Sequence, residues 1–301
     1  MSNKRLIQAR ANKKDEFYTQ MSDIEKELFH YKEHFKNKII YLNCDDSNSD
    51  FFKYFSLNFE FFELKKLIAT HYDREKPTYK LELNEYKGKL IKTRLRGNGD
   101  FKNKENIQLL KESDIIVTNP PFSLFREYIN QLIEYNKKFI IIGDINAVTY
   151  NNVFSLIQSG KIWTGRSFNT TMTFRLPEYY EEYTFKDENG IKYAKIGRIA
   201  WYTNLERKVY KESLLKMLIG NKYDPKIHKK AENCDCIVIN KTMDIPYDYD
   251  GLMAVPITFL SKYRSDEFEL LGIDKQFTSD KNRTIIDGKR KYARLIIKRR
   301  K

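Results

Sequence analysis

Residues 114–118, Asp-Ile-Ile-Val-Thr, form a β-branched run that stops on Asn119-Pro120-Pro121-Phe122. β-branched side chains favour an extended backbone, and the two prolines carry no amide hydrogen with which to prolong a sheet ladder. The chain must therefore leave its sheet at residue 119. From Ser123 onward Phe125, Tyr128, Ile129, Leu132 and Ile133 give a helix one apolar face, and residues 138–144 supply the next buried strand. The same alternation recurs upstream. A helix is expected over 22–36, where Ile24, Leu28, Tyr31 and Phe35 fall at helical spacing behind Ser22 as cap with Glu25 three residues on. Residues 38–44 read as a strand, Asp45-Asp46-Ser47-Asn48-Ser49 as a polar turn, and 50–55 as an aromatic-rich helix. Residues 67–71 form a second strand ending before Asp73, 87–96 a short extended piece before the turn Gly97-Asn98-Gly99-Asp100, and 105–111 a helix. Strands alternating with helices predict an α/β fold with parallel pairing and right-handed crossovers. Functional loops of such sheets lie at the strands' carboxyl ends, where the Asp45, Asp73, Asp100 and Asn119 segments fall.

Beyond Asn152 the pattern changes. Residues 171–176 and 198–203 read as paired antiparallel strands around a polar connection containing Asp187-Glu188-Asn189-Gly190. A helix around 213–219, apolar runs at 236–239 and 255–260, and a strongly basic final strand over 289–301 follow. At 301 residues the chain can bury a core without staples, and 41% hydrophobic residues exclude a disordered composition. Its net charge of +14 suggests a polyanionic partner, nucleic acid before membrane surface. The apolar runs are far shorter than the roughly 20 residues that cross a bilayer. Residues 1–15 are basic and polar with no apolar h-region, so a cytoplasmic location is expected. Three cysteines, Cys44, Cys234 and Cys236, are an odd count that speaks against a disulfide framework.

The tetrad at 119–122 carries the chemistry. An Asn-Pro turn would account for its first half, but a second proline and an aromatic residue ask for more than a turn needs. An aromatic amine has its lone pair delocalised into its ring and attacks a methyl donor poorly. The Asn119 side-chain carbonyl and the Pro120 main-chain carbonyl are two acceptors that can hold such an amine and favour a pyramidal nitrogen. The prolines make that geometry rigid, and Phe122 offers a face on which an extruded base stacks, worth about 1–3 kcal/mol. A base in a duplex must flip out to reach it.

With these residues the chain resembles amino-methyltransferases that act on adenine in DNA, and more closely the EcoRI-type adenine-specific DNA methyltransferases. The resemblance is carried by Phe17-Tyr18-Thr19, Cys44-Asp45-Asp46, residues 66–72 (Lys-Leu-Ile-Ala-Thr-His-Tyr), 117–126, Trp201-Tyr202-Thr203-Asn204-Leu205, residues 255–260 and Tyr292-Ala293-Arg294, and it runs from about Asp15 to the C-terminus. It implies a class I, S-adenosylmethionine-dependent, Rossmann-like mixed sheet with helices on both faces, spanning 1–205, and a smaller DNA target-recognition region over 206–301. It further implies that Asn119, Pro120, Pro121 and Phe122 are catalytic. Phe17, Tyr18 and Thr19 would wall the S-adenosylmethionine site, the loop from Cys44 through Asp45 to Asp46 would meet its methionine part, Asp73 its ribose hydroxyls, and Asp100 with Phe101 its adenine. Double-stranded DNA is the implied substrate, and a cognate restriction endonuclease acting on the same site an implied partner. One departure stands out: the Gly-rich loop expected after the first strand is replaced by Asp45-Asp46-Ser47-Asn48-Ser49.

Plainer readings stand beside these. Asp45 and Asp46 also suit a helix cap, and Asp73 a solvated loop acid. His228, Cys234 and Cys236 lack a fourth ligand at customary zinc spacing, so no metal is expected. No Gly-x-x-x-x-Gly-Lys-Ser/Thr element occurs, and no Pro-Cys pair that would supply a thiolate for methylation at a cytosine carbon. Glu63-Leu64-Lys65 echoes a metal nuclease only as triplets do in a chain that is 32% charged. The basic run at 289–301 fits either a solvated strand edge or, with Arg166, Arg175, Arg198 and Arg207, a duplex-binding cleft. Two rival functions stay open: the same fold acting on RNA adenine or a protein glutamine amide, and a non-catalytic DNA-binding protein.

Overall fold

The computed structural model describes residues 17–73, 77–84, 89–178, 180–206, 212–290 and 292–300. Asp15, Arg207, Lys291 and Lys301, singled out above, lie outside the described residues. The chain divides into two compact units, one within Met1–Asp144 and Trp163–Arg207, the other within Ile145–Ile162 and Lys208–Lys301.

The first unit is built on a ten-stranded sheet. Its centre is parallel: β2 (Ile39–Leu42) lies between β3 (Lys66–Thr70) and β6 (Ile115–Thr118), and β6 pairs in turn with β7 (Lys138–Asp144). These runs are apolar because such strands are covered on both faces, and Ile40, Leu67, Ala69, Val117 and Ile140 are all fully enclosed. Antiparallel strands extend both sides. β4 (Tyr79–Asn84) and β5 (Ile91–Arg94) follow β3, while β10 (Lys192–Thr203), β8 (Trp163–Arg175) and β1 (Tyr18–Thr19) follow β7, and the short β9 (Phe185–Lys186) pairs with β10. From β2 the chain moves to one neighbour, β3, and later returns to the other, β6. Their carboxyl ends therefore open a crevice, the position where open α/β sheets bind ligands.

The helices join this sheet through aromatic packing and caps. Ser49 accepts the Phe52 amide hydrogen at 3.1 Å and starts the helix Asp50–Leu57, which buries Phe51, Phe52, Tyr54 and Phe55. Phe35 meets Phe55 and Phe62 edge-on at 5.2 and 5.4 Å, contacts worth about 0.5–1.5 kcal/mol each beyond their burial. The expected helix over 22–36 is corrected in two respects. It is broken into Met21–Leu28, a 3-10 turn Phe29–Tyr31, and Lys32–Phe35, and Ser22 does not cap it. Gln20 precedes the first turn without a side-chain cap, and the Met21 amide is satisfied by Asp50 Oδ2 at 3.2 Å. A carboxylate 29 residues away has replaced the local signal.

The paired strands expected at 171–176 and 198–203 are the ends of a longer ribbon, β8 and β10, whose register shifts between Ile196 and Tyr202. The amides of Arg166 and Ser167 are taken up by the fully buried carboxylate of Glu27, both at 2.7 Å. An irregular strand satisfied this way loses the period-two pattern that sequence reading relies on.

The second unit holds a four-stranded sheet in the order β11 (Ile237–Val238), β12 (Met253–Pro256), β16 (Arg294–Arg299), β13 (Phe268–Ile273). A hairpin of β14 (Ile285–Ile286) and β15 (Lys289–Arg290) precedes its third member. The basic C-terminal run is thus no solvated edge over 294–299. It is an interior strand, and Arg294 is 2% exposed, donating to the Ile239 carbonyl and, at 2.9 Å, to Asn240 Oδ1. Among the described residues no helix is long and apolar enough to cross a membrane, and no three His, Cys, Asp or Glu side chains converge as a metal site. Cys44, Cys234 and Cys236 are all free thiols.

Candidate active site

At the carboxyl ends of β2, β3 and β6 lies a cavity of about 450 Å³. Ten sequence-predicted residues, Phe17, Tyr18, Thr19, Cys44, Asp45, Asp46, Asp100, Phe101, Asn119 and Pro121, line it. Pro120 and Phe122 are not among the lining residues. Both are buried, and the Phe122 ring, 4% exposed, packs in the hydrophobic core. Asp73 does not line the cavity; the two residues before it, His71 and Tyr72, do.

The kink at 119–122 is held from three directions. Asn119 Nδ2 donates to the Phe17 carbonyl at 2.9 Å, so its amide plane is fixed by a strand 102 residues distant. Asn119 Oδ1 is buried and has no hydrogen-bond partner among the described residues. Beneath it, Thr118 Oγ1 donates to Asp45 Oδ2 at 2.7 Å, both groups being buried. The Pro121 carbonyl accepts the Leu124 amide at 2.9 Å and closes the turn into the helix Phe125–Glu134.

The loop after β2 is similarly set. The Asp45 amide donates to the Thr70 carbonyl at 2.9 Å, and Tyr41 and Thr70 join their hydroxyls at 2.8 Å. Tyr128, from the helix after the kink, donates to Asn43 Oδ1. Burial raises the pKa of both phenols and keeps them protonated. Asp46 and Ser49 make the turn itself: Asp46 Oδ1 accepts the Asn48 amide at 2.8 Å.

Across the cavity the Gly97–Asp100 turn is pinned by Glu105, whose carboxylate accepts the amides of Arg96 and Gly97. Gly99 has φ +80°, and a Cβ there would fall 1.9 Å from the His71 carbonyl oxygen. Only glycine permits this approach. Asp100 Oδ1 accepts the Lys102 amide at 2.9 Å, and Phe101 is held edge-on against Tyr128 at 5.2 Å. His71 is held by the Thr78 hydroxyl, and burial depresses its pKa below the ordinary 6.5.

Sequence reading missed His71, Tyr72, Asp50, Ser123 and Leu124 as lining residues. The first two directly precede Asp73, so the strand's end was found but its register against the cavity was not. The cavity suits S-adenosylmethionine on several counts. Its volume is that of small-ligand sites, and Asp45, Asp46, Asp50 and Asp100 surround it with carboxylates able to offset a cation. Two buried oxygens at its wall, Thr19 Oγ1 and Asn119 Oδ1, lack partners among the described residues. Buried polar atoms left this way are costly unless something completes them.

The chain is 43% identical over 327 aligned residues to the Type II methyltransferase M.EcoRI of Escherichia coli, covering 100% of this chain and 98% of that protein. It is 38% identical to the Type II methyltransferase M.MgeORF184P of Mycoplasma genitalium, with 97% of each chain covered. The corresponding figures for M.MpnI of Mycoplasma pneumoniae are 36% and 97%. A family model described as adenine-specific methyltransferase EcoRI matches residues 5–300, and the chain belongs to that family.

Proposed function

We propose that this chain transfers a methyl group from S-adenosylmethionine to the exocyclic amine of an adenine flipped out of double-stranded DNA, within a restriction-modification system. The observation that carries the reading is the Asn119 carboxamide: its nitrogen donates to the Phe17 carbonyl and its oxygen is a buried acceptor without a partner among the described residues. An amine donor completes that acceptor.

When bound, S-adenosylmethionine supplies an electrophilic methyl group on a cationic sulfur. The residues of this chain do the rest. Asp45 and Asp46 meet the methionine part, Asp100 and Phe101 the adenine, and Phe17, Tyr18 and Thr19 close the wall between cofactor and target. Asp73 lies outside the cavity lining, so its reach to the ribose hydroxyls depends on a change of rotamer or loop, and Tyr72 and His71 stand nearer. Asn119 Oδ1 and the Pro120 carbonyl accept the two amine hydrogens, drawing the nitrogen towards a pyramidal shape with its lone pair free. Stacking of the base on Phe122 belongs to the same reading and requires its ring to turn out of the core. The surplus amine proton passes to solvent, because a neutral carboxamide is too weak a base to keep it. Residues 206–301 read the target sequence, a cytoplasmic setting gives access to DNA, and a cognate endonuclease cuts the unmodified site.

The experiment is single-molecule sequencing of DNA from cells expressing the chain. Methylated adenine confined to one short sequence is expected. Methylated adenosine in RNA alone, or a methylated protein amide alone, overturns the reading.

A further inference from the structure

The hairpin of β4 and β5 takes no part in the chemistry above, yet it flanks the cavity. β4 runs antiparallel to β3, with Lys80 opposite Thr70, so its first residue Tyr79 stands at the sheet end where the cavity opens. A shallow cleft of about 440 Å³ lies there, lined by Pro77, Thr78, Tyr79, Lys92 and Arg94. Tyr79 is opposite Arg94 in the ladder, and Lys92 Nζ sits 3.7 Å from the centre of the Tyr79 ring.

Among the described residues the charge here has no acidic partner. Lys66 and Lys80, on the neighbouring strands, both pair with Glu82. Among the described residues neither Lys92 nor Arg94 pairs with a carboxylate, and no acid lines the cleft. The cavity next to it holds four acids among its lining residues. The two hollows share a wall: Thr78 Oγ1 lies 3.2 Å from either ring nitrogen of His71, which lines the cavity, and the Tyr79 ring meets His71 at 4.8 Å. Residues two apart on a strand stand about 6.6 Å apart on one face. Two such cations on the open edge of a sheet match successive anionic groups along a polymer.

We infer that Lys92 and Arg94 grip neighbouring phosphates of the DNA strand flanking the extruded adenine, with Tyr79 holding the Lys92 ammonium ready. This rests on the DNA reading above and adds to it a contact outside the recognition region. Phosphate contacts position a duplex without reading it. The cleft therefore governs how firmly the target strand is held beside the cavity and leaves the choice of sequence to other residues.

The test is a salt titration of the full chain on a fluorescent duplex carrying the sequence found by adenine sequencing, with K92A, R94A and the double variant. Circular dichroism verifies their folding. Each phosphate contact contributes about 0.9 to the slope of log affinity against log salt. Each single variant is expected to flatten the slope by about 0.9 and the double variant by about 1.8, equally on duplexes with and without the site. Lys36 is exposed and already paired with Glu63 at 2.8 Å, so K36A should leave the slope in place. An unchanged slope in the double variant, an equal loss in K36A, or a loss on RNA duplexes alone overturns the assignment. If the parent chain methylates duplex adenine while the slopes stay equal, only the cleft is refuted. If it methylates no duplex adenine, the DNA reading itself has failed.

Discussion

Asn119 and Arg294 are both polar groups at the margins of strands, one in each unit, and their surroundings are opposite. The Arg294 guanidinium is met by the carbonyl of Ile239 and by Asn240 Oδ1, with the Tyr292 ring 5.1 Å from its centre. Asn119 has its nitrogen anchored and its oxygen without a partner among the described residues. A buried charge whose donors are matched belongs to the architecture, whereas a buried acceptor with no donor is waiting for one. Completeness of hydrogen bonding separates the two cases.

Substitution of Asn119 should break this contrast most visibly. Asn119→Ala is expected to lower methyl transfer by at least about 10²-fold, the scale on which one preorganised polar contact is lost. Stability should fall by only about 1–2 kcal/mol, because the bond to the Phe17 carbonyl goes but the unpaired Asn119 oxygen is removed with it. Labelled-methyl assays and denaturant unfolding measure the two sides. Arg294→Ala should show the reverse, a loss of about 3 kcal/mol in unfolding free energy from stranded carbonyls and an emptied site. A loss under 1 kcal/mol would remove Arg294 from the architectural class.

Thr118 sharpens the comparison, since its hydroxyl joins the kink to the Asp45 loop. Thr118→Val keeps the shape and should weaken S-adenosylmethionine binding about tenfold by calorimetry, with Thr118→Ser restoring it. The smallest effect concerns His71. Burial, aided by the Lys92 charge and opposed by Asp46 and Asp73, holds its imidazole below the ordinary value. The unfolded chain therefore takes up the proton first, and stability is lost as pH falls below about 6.5. His71→Gln should flatten the thermal unfolding profile in that window.

The parallel centre of the first unit was legible because its strands are continuous apolar runs closed by Asp, Asn or Pro. Residues 138–144 match β7 residue for residue. The flanks were not. β4 mixes Lys80, Glu82 and Asn84 with Leu81 and Leu83, as an outer strand does, and it was passed over. β13 lies between charged turns that obscure it, and the helix Asn151–Gln158 falls where the pattern changes. Most of the candidate site was legible, since the loops at 43–46, 99–101 and 119–121 all reach the cavity. What sequence could not supply was orientation: that Phe122 faces the core, that Asp73 lies past the rim, and that Phe17 contributes its carbonyl as well as its ring.

That last contact has a wider consequence. β1 is two residues long and pairs with the sheet through Tyr18 opposite Arg175 and Thr19 opposite Phe174. Its neighbour Phe17 nonetheless fixes the plane of the Asn119 amide. Whatever loosens so short a strap, whether a fusion partner, a nick or a competing segment, would uncouple reactivity from folding and leave an intact protein with its decisive oxygen pointing astray.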